Sequence, residues 1–362
     1  MLSPVWFPVP PDGYGGIESV VSLLTEGLVS RGADLTLFAS GDSVTSAPHV
    51  HVFDEAPSEH IGETFWELNH ALSCLERLHE FDLVHDHTGL LGLTLFGLAT
   101  IPMLHTVHGP LEPVPGRMYR AACGAGSDIG LVSLTEAQRR PLPGLPWLAN
   151  IENAIDPGLY PFAPTPGPGL VFLGRMSPEK GAHRAIEVAK RAGRPLRIAA
   201  KCREPAEQEY FEREIRPHLD GRIEYLGEVG HDEKCELLAE AHALVVPIDW
   251  EEPFGLVMIE AMACGTPVVA LRRGSVPEVI DHGRTGLVVD DLEAMAAAVD
   301  EVGWLDPLEL RREVETRFSP ERFVDEHLAA YELLLERSSR LPTRSLPRTA
   351  VERLEVVVEA GS

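Results

Sequence analysis

Apolar runs of strand length alternate with helix-period patterns along nearly the whole chain, and no other feature limits the possible folds so sharply. Strands that are apolar on both faces must be covered on both, and strands separated by helical segments pair in parallel, so the pattern specifies α/β units with a doubly wound sheet. Strands are predicted at Leu35–Ala39, Asp82–His85, Met103–Val107 and Ile129–Ser133, then again at Leu170–Leu173, Leu196–Ala200, Ile223–Leu226, Ala243–Val246, Val268–Leu271 and Leu287–Val289. The first clear helix opens near Gly16, with Ile17, Val20, Val21, Leu24 and Leu28 at helical spacing and Gly32 as its stop. The longest uncharged run, Thr88–Leu104, contains Pro102 and is shorter than a membrane span requires. It reads as a buried helix followed by a buried strand.

Between the two series lies Asp156–Gly169, with five prolines and three glycines, a composition suited to a stiff connector. The 362 residues amount to about 2.4 domains of ordinary size. Two Rossmann-like domains are therefore expected, residues 1–160 and 161–318. Ser319 and Pro320 supply an N-cap and first turn for a helix over 319–337, with Val324, His327, Leu328, Tyr331 and Leu335 on one face, expected to pack across the domain junction. Residues 338–362 are expected to form a mobile tail, with apolar patterning only at Leu354–Val358. Only Met1 and Leu2 precede Ser3-Pro4, so the first strand is expected to be very short for a central position, and the native start codon is expected upstream.

The balance of 31 Lys+Arg against 56 Asp+Glu gives a formal charge of -25, which repels nucleic acid and disfavours tight docking on anionic membranes. The five cysteines are scattered and form no C-x-x-C pair, so neither a disulfide framework nor a zinc site is indicated. With no signal-peptide pattern and no apolar segment long enough to span a bilayer, the expected location is the cytoplasm, with peripheral contact at the inner membrane face left open.

Several segments could carry chemistry. Asp12-Gly13-Tyr14-Gly15-Gly16-Ile17-Glu18 leads into a helix whose N-terminus favours phosphate; Gly15 and Gly16 permit close approach. Glu18 stands where a nicotinamide fingerprint needs its third glycine, and a ligand-free turn is the plainer alternative. Leu173-Gly174-Arg175-Met176-Ser177-Pro178-Glu179-Lys180-Gly181 places two cations after a strand, suited to a diphosphate or, more plainly, to solvent. The chain has 27 arginines and four lysines, which singles Lys180 out. In Glu252-Pro253-Phe254-Gly255-Leu256-Val257-Met258-Ile259-Glu260, Pro253 suits a first helical position, and the two carboxylates would lie about 12 Å apart on a continuous helix. They would contact different parts of one ligand, unless Glu252 is a cap and Glu260 merely solvated. His108, at the end of Leu104-His105-Thr106-Val107-His108-Gly109, is placed to enter a cleft, whereas a structural role is the alternative. His85-Asp86-His87 lacks a further ligand motif, so loop or acceptor contacts are preferred to a metal.

Together these segments resemble glycosyltransferase family 4, retaining enzymes of GT-B architecture with two Rossmann-like domains facing across a cleft. The resemblance covers roughly residues 4–335 and is strongest over Pro247–Asp290, where Glu252–Glu260, Ala-Met-Ala-Cys-Gly-Thr-Pro-Val-Val and Gly-Ser-Val-Pro-Glu-Val-Ile are similar to the family signature. The opening Pro10–Glu18 is similar to a bacterial subgroup whose donors are often UDP-glucose-like. The resemblance implies that Gly16 lines the phosphate end of the cleft and that Arg175 and Lys180 bind the donor diphosphate. It further implies that Glu260 holds the ribose, that Glu252 and the Phe254-Gly255-Leu256 backbone hold the sugar, and that His108 contacts sugar or acceptor. No cofactor or metal is expected, and the acceptor (glycan, lipid-linked sugar or small molecule) is left open. A GT-B epimerase acting on nucleotide sugars and an inactive nucleotide-sugar-binding subunit are the alternatives.

Overall fold

The computed structural model describes residues 1–99, 101–111, 113–124 and 128–339; the predicted tail beyond 339, including Leu354–Val358, lies outside the described residues. Four parallel strands, β3 (Val84–Asp86), β4 (Met103–Thr106), β5 (Ile129–Ser133) and β6 (Trp147–Asn150), form one sheet in that order. Beside it β1 (Leu37–Phe38) pairs with β2 (His49–Val50). Leu2 joins the two: its N–H donates to the His85 carbonyl at 2.8 Å and its carbonyl accepts from His87 at 2.9 Å, while Ser3 donates to Phe38 at 3.0 Å. The expected central strand is thus reduced to one bridging residue, and Leu2 is fully buried.

The second sheet has six parallel strands in the order β12-β11-β10-β7-β8-β9, formed by β7 (Gly169–Arg175), β8 (Leu196–Lys201), β9 (Ile223–Gly227), β10 (Ala241–Val246), β11 (Val268–Leu271) and β12 (Gly286–Val289). The chain proceeds from β7 outward through β8 and β9, then returns to the other side at β10. Strand order therefore reverses between β7 and β10, and ligands in such sheets bind where this crevice opens at the strand carboxyl ends. Leu170, Val171, Leu244, Val245, Val268 and Val269 are almost wholly buried, which explains the unbroken apolar runs of these strands.

Each strand predicted from the sequence is present, while β2 and β6 were not predicted. Their residues are half-buried, so neither has the apolar signal of an interior strand. The run Thr88–Leu104 contains the helix Leu90–Phe96 and then the start of β4, with Pro102 between them. The final helix, Pro320–Ser339, packs on the Gly16–Ser30 helix through Phe323, Val324 and Leu334 against Val20, Leu24 and Leu28. Its buried stripe is rotated from the predicted one: Phe323, Val324, His327, Ala330 and Leu334 face inward, Leu328 and Tyr331 are half-buried, and Leu335 is exposed.

Candidate active site

A cleft of about 510 Å³ separates the two sheets. One wall is the turn before the Gly16–Ser30 helix, carrying Tyr14, Gly15, Gly16 and Glu18, together with His108 from beyond β4. The other is built at the strand-order reversal: Arg175 ends β7, Lys180 follows it, and Glu252–Leu256 follow β10. Topology alone brings these segments together. Gly16 faces Leu256 so closely that a Cβ on it would lie 3.1 Å from Leu256 Cδ1.

The Glu252–Glu260 motif departs from the continuous helix expected of it. The helix runs Leu256–Ala263, so Pro253 is outside it, and Gly255 stands at the N-cap with φ +82°. This left-handed residue turns the chain sharply, and a Cβ there would also lie 2.8 Å from Met258 Cε. The turn is held from behind: Ser275 Oγ donates to the Phe254 carbonyl at 2.8 Å, and Ser275 N–H to the Glu252 carbonyl at 2.9 Å. The Phe254 ring is buried edge-on against Phe318, 5.9 Å between centroids, so this residue faces the cleft mainly with backbone. Amide N–H groups at the start of the Leu256–Ala263 helix consequently open toward the cleft.

Charges across the C-terminal wall are paired. Lys180 Nζ donates to Glu252 Oε2 at 2.5 Å and lies 4.4 Å from the centroid of the Trp250 ring; Trp250 Nε1 donates to the same oxygen at 3.0 Å. Arg175 Nη2 donates to Glu179 Oε1 at 2.6 Å, while its Nε is 3.7 Å from Glu207 and has no hydrogen-bond partner. Glu260 lies apart from this group, in an adjoining recess of about 150 Å³ that shares Tyr14, Gly15, Gly16 and Leu256 with the main cleft. There its Oε1 accepts from Lys234 Nζ at 2.6 Å and from Tyr160 Oη at 3.1 Å. Sequence reasoning left out Lys234 and Lys201, which also lines the recess and is buried. The scarcity of lysine that singled out Lys180 applied equally to both.

On the N-terminal wall Glu18 is 3% exposed, and burial raises its carboxyl to about 8. His108 is the outermost member of a buried imidazole chain. His108 Nε2 and His87 Nδ1 share a hydrogen bond of 2.9 Å, His87 Nε2 approaches His85 Nδ1 at 3.3 Å, and His85 Nδ1 meets Tyr331 Oη of the final helix at 2.7 Å. Burial pushes the His108 imidazole down to about 3, and those of His85 and His87 are also lowered by burial, so the array is neutral near pH 7. Asp86 is engaged elsewhere, accepting from Thr88 and bonded to His105 Nδ1 at 2.7 Å. Asp86 thus turns away from His85 and His87, and among the described residues no three His, Cys, Asp or Glu side chains form a metal-ligand cluster.

Residues 14–149 match the profile of Glycosyltransferase Family 4, and residues 167–302 that of Glycosyl transferases group 1. Glycogen synthase of Mycobacterium tuberculosis (strain ATCC 25618 / H37Rv) is 30% identical over 349 residues, spanning 81% of this chain and 83% of the relative. The chain belongs to glycosyltransferase family 4. Its two Rossmann-like domains facing across a cleft are the GT-B architecture, shared with AviGT4, a glycosyltransferase involved in avilamycin A biosynthesis. The two are 27% identical with a TM-score of 0.72, over 92% of this chain and 94% of AviGT4. HepE of Anabaena, in a complex with UDP-glucose, has the same fold at 18% identity, with a TM-score of 0.68 over 94% of this chain and 98% of HepE. Among the described residues of this family 4 glycosyltransferase, no helix is long and apolar enough to cross a membrane.

Proposed function

We propose that this glycosyltransferase moves a hexose from UDP-glucose, or a closely similar nucleotide sugar, to an acceptor hydroxyl with retention at the anomeric carbon. One observation carries the reading: Arg175, Lys180 and the start of the Leu256–Ala263 helix converge on the cleft that Gly15 and Gly16 close from the other side. Two cations and free amide donors suit a diphosphate, and they gain most as charge develops on the departing nucleotide. Glu260 with Lys234 would take the ribose, and Glu252 and the Gly255-Leu256 backbone the sugar hydroxyls. His108, neutral, would accept from or donate to the sugar or the incoming hydroxyl. HepE, which shares the fold, is known with UDP-glucose, which supports that donor as the first to try.

The C1–O bond to the β-phosphate breaks as the acceptor oxygen bonds to C1 on the same face. The hydroxyl proton passes to a leaving phosphate oxygen, and UDP departs. Arg175 and Lys180 supply positive charge at the diphosphate, so turnover in this reading needs no divalent ion and survives a chelator. We assign residues 1–160 to the acceptor-side domain, 161–318 to the donor domain and 319–337 to a helix returning to the first. The five free cysteines suit a reducing compartment, and we place the enzyme in the cytoplasm, in peripheral contact with the inner membrane face if its acceptor is lipid-linked.

The test is NMR of the purified chain with UDP-glucose and other nucleotide sugars, following slow hydrolysis and the first anomer released. Release of the α-sugar from an α-linked donor is expected. Release of the β-sugar overturns retention, and failure both to bind UDP and to turn over any donor overturns the function. Conversion of the sugar to its epimer would establish the epimerase reading instead.

A further inference from the structure

A second cavity, about 470 Å³, opens beside the cleft on its N-terminal side. Pro4, Trp6, Ile17 and His108 line both spaces, so a molecule in one meets a molecule in the other at His108. The second cavity has a consistent chemistry. Trp6, Leu90, Pro110 and Tyr119 give it apolar walls, and its polar groups include Glu67, Thr88 and three imidazoles, His70, His87 and His108. Among the described residues that line it there is no lysine or arginine.

The electrostatic consequence is one-sided. Glu67 accepts a hydrogen bond from the Gly89 N–H and lies near enough to Asp86 to feel its charge. Asp86 is fully buried behind the cavity. All three imidazoles are neutral at ordinary pH, held so by burial. A phosphate or carboxylate entering here would shed water, find no cation and face the Glu67 side chain, with Asp86 buried behind the wall. A neutral hydroxyl compound would instead find acceptors at Glu67 and the imidazoles, with aromatic and aliphatic surface for its apolar face.

We propose that this cavity is the acceptor site and that it selects a neutral hydroxyl compound with an apolar face, of the class of aryl or alkyl glycosides, while rejecting acceptors that carry phosphate or carboxylate. The inference rests on the reading of the main cleft as the nucleotide-sugar site. Selection against the anion is a matter of unfavourable contacts built into the pocket as much as of favourable ones for the neutral compound.

The test uses the full chain with UDP-glucose and matched acceptors: 4-nitrophenyl glucoside and octyl glucoside against 4-carboxyphenyl glucoside and glucose 1-phosphate. Transfer to the neutral glycosides is expected, with kcat/KM for the charged compounds lower by about 100-fold or more. Glu67→Gln is expected to narrow that gap by about tenfold, and Glu67→Lys to narrow it further. Equal or better use of the carboxylate or phosphate overturns the proposal, as does an unchanged gap in both variants. Calorimetry with UDP on the same preparation separates this failure from that of the donor reading. If UDP binds but no neutral glycoside is glycosylated, the acceptor class alone falls; if UDP does not bind, both readings fall.

Discussion

Lys180 is the residue on which the proposed chemistry leans most heavily, and the structure adds a partner that its sequence context did not reveal. Because Glu252 accepts from Lys180, removing the ammonium deletes a cation and also leaves a mostly buried carboxylate with Trp250 as its remaining donor. Lys180→Ala is expected to lower kcat by about 10²–10³-fold through loss of leaving-group stabilisation. Circular dichroism should show the fold intact, and Lys180→Ala/Glu252→Gln should recover thermal stability without recovering turnover. Near wild-type turnover in Lys180→Ala would remove its assigned role. Glu18 offers a prediction on stability. Its carboxyl is raised from the ordinary 4.5 to about 8 by burial, so between those values the folded protein holds a proton that the unfolded chain has released. This group therefore makes stability fall as pH rises through the window, by about 1.4 kcal/mol per pH unit. Glu18→Gln should match the wild type near pH 5 and exceed it near pH 9 in denaturant melts; a constant difference at both pH values would contradict the burial argument. Motif spacing made Arg175, Lys180 and Glu252 visible in the sequence, but not their pairing with Glu179 and Glu252, since those contacts depend on turns whose shape no residue type announces.

At the scale of elements, interior strands were legible because burial on both faces writes continuous apolar runs, as in β7, β10 and β11. Edge elements were not: Trp147–Asn150 is half-buried along its length, and its strand character comes from pairing with β5. The start of the Leu256–Ala263 helix was misplaced for a definite reason. Pro253 is compatible with a first helical turn, but Gly255 at φ +82° delays the helix to Leu256 and swings its free amides toward the cleft. Gly255→Ala tests whether that turn matters. An alanine held in the left-handed region costs about 1–2 kcal/mol, and here its Cβ also meets Met258. Chemical denaturation should register that loss, and calorimetry should show weaker UDP binding as the helix start shifts. Undiminished stability together with undiminished UDP affinity would show that the amides of this turn are not part of the site. The final helix shows a milder failure of periodicity: a rotation of no more than about 100°, one residue's step, separates the predicted stripe ending at Leu335 from the observed one ending at Leu334, because Phe323 was left out of the count.

For the whole molecule, the decisive quantity is the relative placement of the two sheets, since every assigned group lies on one wall or the other. Several contacts hold them in register. Glu278 of the C-terminal half accepts from the N–H groups of Glu136 and Ala137 at 2.8 and 2.7 Å, capping a short helix of the N-terminal half. Thr135 Oγ1 donates to the Pro253 carbonyl at 3.0 Å, and Tyr14 N–H to Glu228 at 3.2 Å. Arg317 grips Glu152 through two hydrogen bonds of 2.9 and 2.5 Å just before the chain crosses back. These are polar contacts, which can be exchanged with water at modest free-energy difference, and the apolar clusters of the two halves meet only at their margins, where Leu134 and Ile155 join the C-terminal cluster and Leu256 packs on the N-terminal one. The expected motion is therefore opening and closing of intact domains about the connector and the final helix, with bound UDP favouring the closed arrangement by bridging both walls and excluding water. Glu278→Ala isolates this. It removes both capping contacts at the interface while touching no residue assigned to donor or acceptor, so the variant should scatter as a more open particle, bind UDP more weakly and keep the wild-type melting behaviour of each half. Adding UDP should contract the scattering profile of the wild type, and that of the variant only at higher nucleotide concentration. If the wild-type profiles with and without UDP superimpose, and Glu278→Ala leaves UDP affinity unchanged, the domains are fixed by the contacts already present and the cleft works without closure.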